Sequence, residues 1–193
     1  MLCSVFGILS CTSVDDNEGG YTPPYTGVPL VIFDTDLGSS TDDLIALRML
    51  YNYANEGRCK LLGVVVNREE EFFDLWPKDV DIVFSPMEVG NEIEYKPETV
   101  IQDISWTDIH PIKQVYMTYD CNTGQRMWDP LTVIQAVEGD ALFSLSERGI
   151  VTPTEHLATV FTPLPTGNCR YQKPVTKAWF TTMLDKMRVI GKP

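Results

Sequence analysis

Two largely hydrophobic runs between residues 28 and 67 are separated by a segment in which hydrophobic residues recur at helical spacing. The runs in residues 28–33 and 59–67 are rich in β-branched residues, which is typical of parallel strands buried on both faces. Residues 41–55 carry apolar side chains at 44, 47, 50 and 51, and Gly57 follows, as expected for a helix that ends at a glycine. This order predicts a βαβ unit over residues 28–67.

The remainder of the chain is less regular but still predicts both helices and strands. Asp129 at an N-cap followed by Pro130 is typical of a helix start, and the apolar residues of 126–139 recur on one face. The other predicted elements are a short helix at 69–76, a strand within 80–90, a helix around 106–120, an antiparallel ribbon within 149–172 and a final helix over 177–190. Helices and strands that alternate in this way predict an α/β fold.

The first residues of the chain form an apolar segment with the length of a signal-peptide core, well short of the roughly twenty residues that span a bilayer. The sequence ILSC at 8–11 resembles the lipobox of bacterial lipoproteins, in which the cysteine, here Cys11, carries the lipid. We therefore predict a signal peptide with a lipobox at 1–11, a polar, Gly- and Pro-rich linker at 12–27 and one domain at 28–193. This predicts export to the periplasm or outer membrane, with a lipid anchor as the membrane contact. The alternative is a frayed hydrophobic N-terminus.

The charge of the chain narrows the class of ligand. The formal net charge is -12 at pH 7 and Lys and Arg are not clustered, which argues against nucleic acid and anionic membrane as partners. A small cation or a neutral small molecule fits this balance better. The cysteines of the predicted domain, Cys59, Cys121 and Cys169, have no CxxC spacing and are predicted to be ordinary buried thiols.

Four aspartates lie within ten positions where the first predicted strand ends, namely Asp34, Asp36, Asp42 and Asp43. Ligand sites in open α/β sheets form outside the carboxyl ends of the strands. Converging carboxylates repel one another unless a cation neutralises them, which predicts a hard divalent ion, Ca²⁺ or Mg²⁺, with oxygen ligands. Helix capping also explains Asp42 and Asp43, because acids at a helix N-terminus accept N–H bonds and favour the dipole. Capping does not explain Asp34 and Asp36, whose spacing in an extended segment places both side chains on one side of the strand end.

Three stretches of the chain resemble one enzyme family. VIFDTDLGSSTDDLIAL at 31–47 resembles the N-terminal signature of the inosine-uridine nucleoside hydrolases: an apolar strand, Asp-x-Asp-x-Gly and an Asp-Asp pair that opens a helix. VDIVFSPMEVG at 80–90 is similar to a later strand of that family, and MWDPLTVIQAVEGDALFSL at 127–145 resembles the segment with its last metal aspartate. The stretches occur in the family's order. The resemblance implies an open, mainly parallel, Rossmann-like sheet with flanking helices.

The resemblance also implies a function and a set of site residues. The function is hydrolysis of the N-glycosidic bond of ribonucleosides to ribose and free base, with Ca²⁺ as cofactor and a nucleoside as small-molecule partner. The implied metal ligands are Asp36, Asp43 and Asp129, and Asp36 is in addition the catalytic residue that accepts a proton from the attacking water. The implied substrate-binding residues are Asp42, which would hold ribose hydroxyls, Asn67 and Trp128. The sequence does not determine which nucleobase is preferred. It does not determine the oligomeric state either, and a homo-oligomer is compatible with it.

The chain departs from the family's pattern in three ways. Residues 39–41 lie between Gly38 and the Asp-Asp pair, so the pair follows the glycine at a greater distance than in the commonest form of the family's motif. Trp128 stands where some members have a histidine, so an imidazole acid for the leaving base is absent there, and the indole could stack on the base or pack in the core. The block between the second strand and the later one is missing, with the junction at residues 68–73, which predicts a truncated domain with impaired activity. His110 and His156 lie outside the matched motifs and are predicted to be surface or core residues.

Two other functions remain open. VIFDTDLG also resembles haloacid dehalogenase-type phosphatases, with Asp34 as nucleophile and Asp36 as acid/base, but Gly38 and the Asp-Asp pair do not fit that pattern. The other alternative is a non-catalytic lipoprotein with a degenerate hydrolase fold that binds a nucleoside or sugar. The missing block and Trp128 favour it, whereas the clustered aspartates oppose it, because without a metal they cost stability.

Overall fold

The structure is a computed structural model that describes residues 8–9, 27–35, 41–66, 81–118, 124–153, 159–173 and 175–188. The helices are α1 (Asp42–Asn55), α2 (Met87–Gly90), α3 (Pro97–Asp103), α4 (Pro111–Thr118), α5 (Asp129–Glu138) and α6 (Lys177–Met187), with a 3₁₀ turn at Asp140–Leu142. The strands are β1 (Ile8–Leu9), β2 (Leu30–Thr35), β3 (Lys60–Val66), β4 (Ile82–Phe84), β5 (Glu94–Tyr95), β6 (Gln125–Arg126), β7 (Gly149–Pro153), β8 (Thr159–Pro163) and β9 (Cys169–Tyr171). The predicted α/β class is confirmed.

The βαβ unit of the N-terminal half has the predicted connectivity. Strands β2 and β3 are parallel neighbours, and α1 lies between them in the chain. The two residues of β1 fall in the predicted signal segment and pair antiparallel with β2, with Ile8 opposite Val31. The carboxyl end of β2 therefore leads towards the N-terminus of α1, which is the arrangement that the aspartate motif requires.

The described strands form three small sheets and not one open, mainly parallel sheet. The first has the order β1-β2-β3, the second β4-β9-β7-β8 and the third β5-β6. In the second sheet β4 and β9 are parallel, whereas β7 is antiparallel to both β8 and β9, so the predicted ribbon within 149–172 is confirmed. The strand predicted over 80–90 exists only as β4, because residues 87–90 form α2 instead. The partner of β4 is β9 and not β3.

The helix predictions hold with shifts at the ends. Helices α1, α4 and α6 lie within or at the predicted ranges, and α5 begins one residue earlier than predicted, with Trp128 at the N-cap and Asp129 as its first residue. Helix α3, which begins at Pro97, was missed. The helix predicted at 69–76 lies outside the described residues.

Helix α5 is more buried than an amphipathic pattern predicts. All of its residues from Asp129 to Ala136 are buried, since it packs on α1, on α6 and on the 3₁₀ turn that follows it. A helix that is covered on most sides belongs to the interior of the domain. The core at the α1–α5 contact contains the fully buried side chains Ile45, Met49, Leu50, Leu131 and Ile134.

Two remaining expectations concern the thiols and the membrane. Cys59 and Cys169 are buried thiols, as predicted, and Cys121 lies outside the described residues. None of the helices in the described ranges has the length and apolar character needed to cross a bilayer.

Candidate metal centre

Two aspartates begin helix α1 and are both withdrawn from solvent. Strand β2 ends at Thr35, and α1 starts at Asp42 with Asp43 next to it. Only 1% of Asp42 and 0% of Asp43 is exposed. Both lie in the first turn of α1, where the helix dipole favours negative charge. The βαβ connection therefore places two buried acids at the carboxyl-end side of β2.

A third aspartate reaches the same place from the other half of the chain. Asp129 begins α5, and because α5 packs against α1, the N-termini of the two helices meet. The ligand atoms of Asp42, Asp43 and Asp129 all lie within 4.8 Å of one another, and Asp129 is only 6% exposed. Three buried carboxylates at this separation offer hard oxygen ligands of the kind that Ca²⁺ and Mg²⁺ take.

The carboxylate of Asp42 is held by groups at the start of α5. Its Oδ2 accepts hydrogen bonds from the backbone N–H groups of Trp128, at 3.2 Å, and Asp129, at 3.4 Å. Its Oδ1 accepts a third hydrogen bond, at 3.3 Å, from Nε2 of Gln125. Asp42 therefore caps α5 across the helix–helix contact, because it accepts N–H groups that have no partner within that helix.

Asp43 is held differently, by a hydroxyl from the preceding strand. The Oγ1 of Thr35, the last residue of β2, donates a hydrogen bond to Oδ1 of Asp43. Thr35 is buried on the same face of β2 as Val31 and Phe33, as the alternation of a strand requires. The carboxylates of Asp42 and Asp43 are therefore oriented by different elements, that of Asp42 by the start of α5 and that of Asp43 by the end of β2.

A neighbouring oxygen supports the fit to a hard cation. Oγ1 of Thr41, directly before Asp42, is buried and has no hydrogen-bond partner in the part of the chain that the structure describes. A buried polar oxygen without a partner is costly, and a bound ion or its water is one way to satisfy it. Carboxylates and a hydroxyl are oxygen donors, so the donor set fits Ca²⁺ or Mg²⁺ and does not fit a soft metal.

The indole of Trp128 is fixed against α2. Its Nε1–H donates to Oδ1 of Asn91, at 3.0 Å, and to the carbonyl oxygen of Met87, at 3.3 Å. Gly90 is in close contact with the ring, since a Cβ built there would lie 2.3 Å from Cδ1 of Trp128. Trp128 thus touches the acid cluster through its backbone and α2 through its side chain.

The structure brings together only part of the predicted site. Asp42, Asp43, Trp128 and Asp129 are adjacent, whereas Asp36 and Asn67 lie outside the described residues. The side chain of Asp34 is not described either. Sequence reasoning missed Thr35, Gln125 and Asn91, which contact the predicted residues. The alternation of β2 could have pointed to Thr35, but no local pattern marks the other two.

The histidines contribute nothing to this cluster in the described residues. His110, the residue before α4, is buried, as one of its two predicted environments requires. Burial lowers the pKa of His110, and the nearby cations Arg48 and Lys113 lower it further. His156 lies outside the described residues.

Comparisons with known proteins give one structural similarity. No protein-family model matches the chain, and no curated protein is significantly similar to it in sequence. A solved plant nucleoside hydrolase is similar to it, with 16% sequence identity and a TM-score of 0.41. The similarity covers 59% of this chain and 42% of that one, so the chain spans less than half the length of the plant protein.

Proposed function

We propose that the chain has a nucleoside hydrolase-like fold and is a calcium-dependent hydrolase that cleaves the N-glycosidic bond of ribonucleosides. The observation that supports this most is the convergence of Asp43 and Asp129, which are far apart in the sequence and which the resemblance names as ligands of one ion. Their ligand atoms lie within 4.8 Å of each other and both residues are buried. The cluster also lies where a βαβ unit forms its ligand site, at the start of α1.

The acids have two roles in the proposed mechanism. Asp43 and Asp129, together with Asp36, would hold the calcium ion, which when bound would orient and acidify the attacking water. Asp36, the residue after the end of β2, accepts the proton of that water. The negative charge of the cluster favours the oxocarbenium-like transition state at the anomeric carbon.

Trp128 does not serve as the acid for the leaving base in this proposal. An indole N–H is a hydrogen-bond donor only, and that of Trp128 is already donated to Asn91 and Met87. In this proposal its aromatic ring stacks on the base. The base therefore leaves without proton transfer from this residue, which should favour nucleosides with good leaving groups.

One observation favours a second candidate, a non-catalytic module that binds calcium together with a nucleoside or sugar. Both carboxylate oxygens of Asp42, the proposed ribose ligand, accept hydrogen bonds from the protein itself. A carboxylate engaged in this way must exchange those bonds before it can hold ribose hydroxyls. If it does not, the site would keep its ion and lose turnover.

Ribose release separates these functions. The full chain would be incubated with a panel of purine and pyrimidine nucleosides, in calcium and again after EDTA, and reducing sugar would be measured. The proposal expects release that depends on calcium. Calcium binding without release, in a protein that circular dichroism shows to be folded, would favour the binding module. Hydrolysis of p-nitrophenyl phosphate instead would indicate the phosphatase alternative.

Substitutions connect the activity to the cluster. Asp43→Ala and Asp129→Ala should each abolish calcium binding and ribose release, because a hard ion loses one of its charged ligands. Asp108→Ala is the matched control, since Asp108 is an exposed aspartate outside the cluster. If Asp129→Ala bound calcium with the affinity of the wild type, Asp129 would not be a metal ligand and the proposed site would be wrong.

A further inference from the structure

Trp128 connects the acid cluster to an exposed surface residue. Its backbone N–H donates to Oδ2 of Asp42, and its indole N–H donates to Oδ1 of Asn91. Asn91 is exposed at the C-cap of α2, outside the motifs that the sequence analysis singled out. A continuous chain of contacts therefore runs from Asn91 through Trp128 to the buried carboxylate of Asp42.

Close packing at Gly90 leaves the indole little freedom. A Cβ at this position would lie 2.3 Å from Cδ1 and 3.0 Å from both Cγ and the Cα of Trp128. Contacts below about 3 Å cannot be accommodated without movement, and the backbone of Trp128 is one of the groups in the way. Gly90 thus fixes the distance between α2 and the first residues of α5.

The position of that backbone determines how Asp42 is held. The amides of Trp128 and Asp129 share Oδ2 of Asp42 at 3.2 and 3.4 Å, so a shift of Trp128 changes both bonds. Asp42 lies within 4.8 Å of the ligand atoms of Asp43 and Asp129. If the amides withdraw, the charge of Asp42 is compensated less and the geometry of all three acids changes.

We propose that Asn91 and Gly90 are positioning residues of the metal centre, which act through Trp128 on Asp42 and Asp129. The inference rests on the proposed function to the extent that calcium is the ion. It gives α2 a role in the metal centre although α2 provides no metal ligand. Helix α2 holds the indole of Trp128 in place, which positions the amides at the start of α5, and these amides orient the carboxylate of Asp42.

The test compares variants that differ in one contact. Asn91→Ala removes the nearer of the two acceptors of the indole N–H, Asn91→Asp keeps an oxygen acceptor, and Trp128→Phe removes the donor but keeps an aromatic ring. Gln102→Ala, at an exposed amide on α3, is the matched control. Calcium affinity of each full-length variant would be measured by isothermal titration calorimetry.

Asn91→Ala and Trp128→Phe should each weaken calcium binding by roughly tenfold, the effect typical of losing a partner that orients a ligand. Asn91→Asp and Gln102→Ala should bind calcium with nearly the wild-type affinity. Adding Asn91→Ala to Trp128→Phe should cause no further loss, because without the indole N–H Asn91 has no hydrogen bond to Trp128 left to lose. The proposal would be overturned if Asn91→Ala had a lower melting temperature but an unchanged calcium affinity. A contact that only stabilises the fold would give this result.

A second measurement separates this proposal from the proposed function. If the wild-type chain binds no calcium, the proposed function fails. The positioning role is then tested by a double-mutant cycle, in which urea unfolding measures the free energy of unfolding of Asn91→Ala, Asp42→Asn and the double variant. The side chains of these residues are linked through Trp128, so their effects should be non-additive. Additive effects would overturn the positioning role independently of any ion. Fluorescence of Trp128, taken as the difference between wild type and Trp128→Phe, should shift to the red in Asn91→Ala.

Discussion

Replacing Asp129 by asparagine should stabilise the protein without calcium and abolish its stabilisation by calcium. The ligand atoms of Asp129 and Asp43 lie within 4.8 Å of each other, and both residues are buried. Two unit charges at that separation repel by about 3 kcal/mol at an effective dielectric constant of about 20. The repulsion with Asp42 is left out of this sum, because three N–H donors already compensate that carboxylate.

One further effect limits the magnitude. Asparagine at the first position of α5 also loses the attraction of an acid to the helix dipole, up to about 1 kcal/mol. The net gain is about 2 kcal/mol. For a chain of 193 residues this corresponds to a rise of about 4 to 8 °C in the melting temperature.

Thermal unfolding followed by circular dichroism, in EDTA and in about a hundredfold excess of calcium over its Kd, measures both effects. Calcium at that excess should stabilise the wild type by about 2.7 kcal/mol and should not stabilise Asp129→Asn. Asp108→Asn, which removes an exposed charge elsewhere, should leave both melting temperatures nearly unchanged. The reasoning is refuted if Asp129→Asn melts lower than the wild type in EDTA, or if it keeps the response to calcium.

Two further predictions concern polar contacts away from the metal centre. Burial alone would raise the pKa of Glu138, but hydrogen bonds from Lys186 and Tyr53 outweigh burial and hold that pKa below its ordinary value of 4.5. The contribution of Glu138 to the free energy of unfolding is therefore complete above pH 4.5 and is lost as the pH falls through the lower pKa of the folded state. Glu138→Gln should therefore lower the free energy of unfolding by about 1.5 to 3 kcal/mol at pH 7 and by less at pH 3. Urea unfolding at the two pH values measures the difference. Gln172→Leu should cost about 2 to 5 kcal/mol, because it leaves the hydroxyl of Ser85 and the side-chain carbonyl of Gln135 buried without this partner, and Ser85→Ala should restore part of that loss.

The elements that sequence patterns predict well are those whose contacts are local. The unit β2-α1-β3 follows from two β-branched runs and one amphipathic segment that are consecutive in the chain. The ribbon of β7 and β8 is local in the same sense. Helix α3 could have been predicted, because Pro97 at its first position and Glu98 in its first turn are typical start signals.

Sheet partners were the harder part of the fold. Strand β4 has only three residues, too few for a periodic pattern, and it pairs with β9, which is more than eighty residues away in the chain. No local propensity distinguishes β9 from β3 as its neighbour. The prediction of one open, mainly parallel sheet therefore extended the local βαβ pattern to strands that pair elsewhere.

The candidate site shows the same limit at the level of side chains. The resemblance related Asp43 to Asp129, whereas the contacts of Gln125 with Asp42 and of Asn91 with Trp128 join elements that are distant in sequence. Such contacts depend on how α1, α2 and α5 pack, which the residue types alone do not fix. Thr35 is the exception, since strand alternation places it on the buried face with Phe33.

Helix capping and metal binding are two explanations for the Asp-Asp pair, and the structure is compatible with both. Helix α1 has Thr41 at its N-cap with no side-chain capping bond, whereas Asp42 caps α5, a helix that begins 87 residues further on. Asp42 thus lies at two helix N-termini, each of which favours its negative charge. Capping of α5 by Asp42 and the binding of an ion by the acid cluster are therefore compatible. Two adjacent aspartates that look equivalent in the sequence therefore have different partners, since Asp42 accepts hydrogen bonds from the start of α5 and Asp43 accepts one from Thr35 at the end of β2.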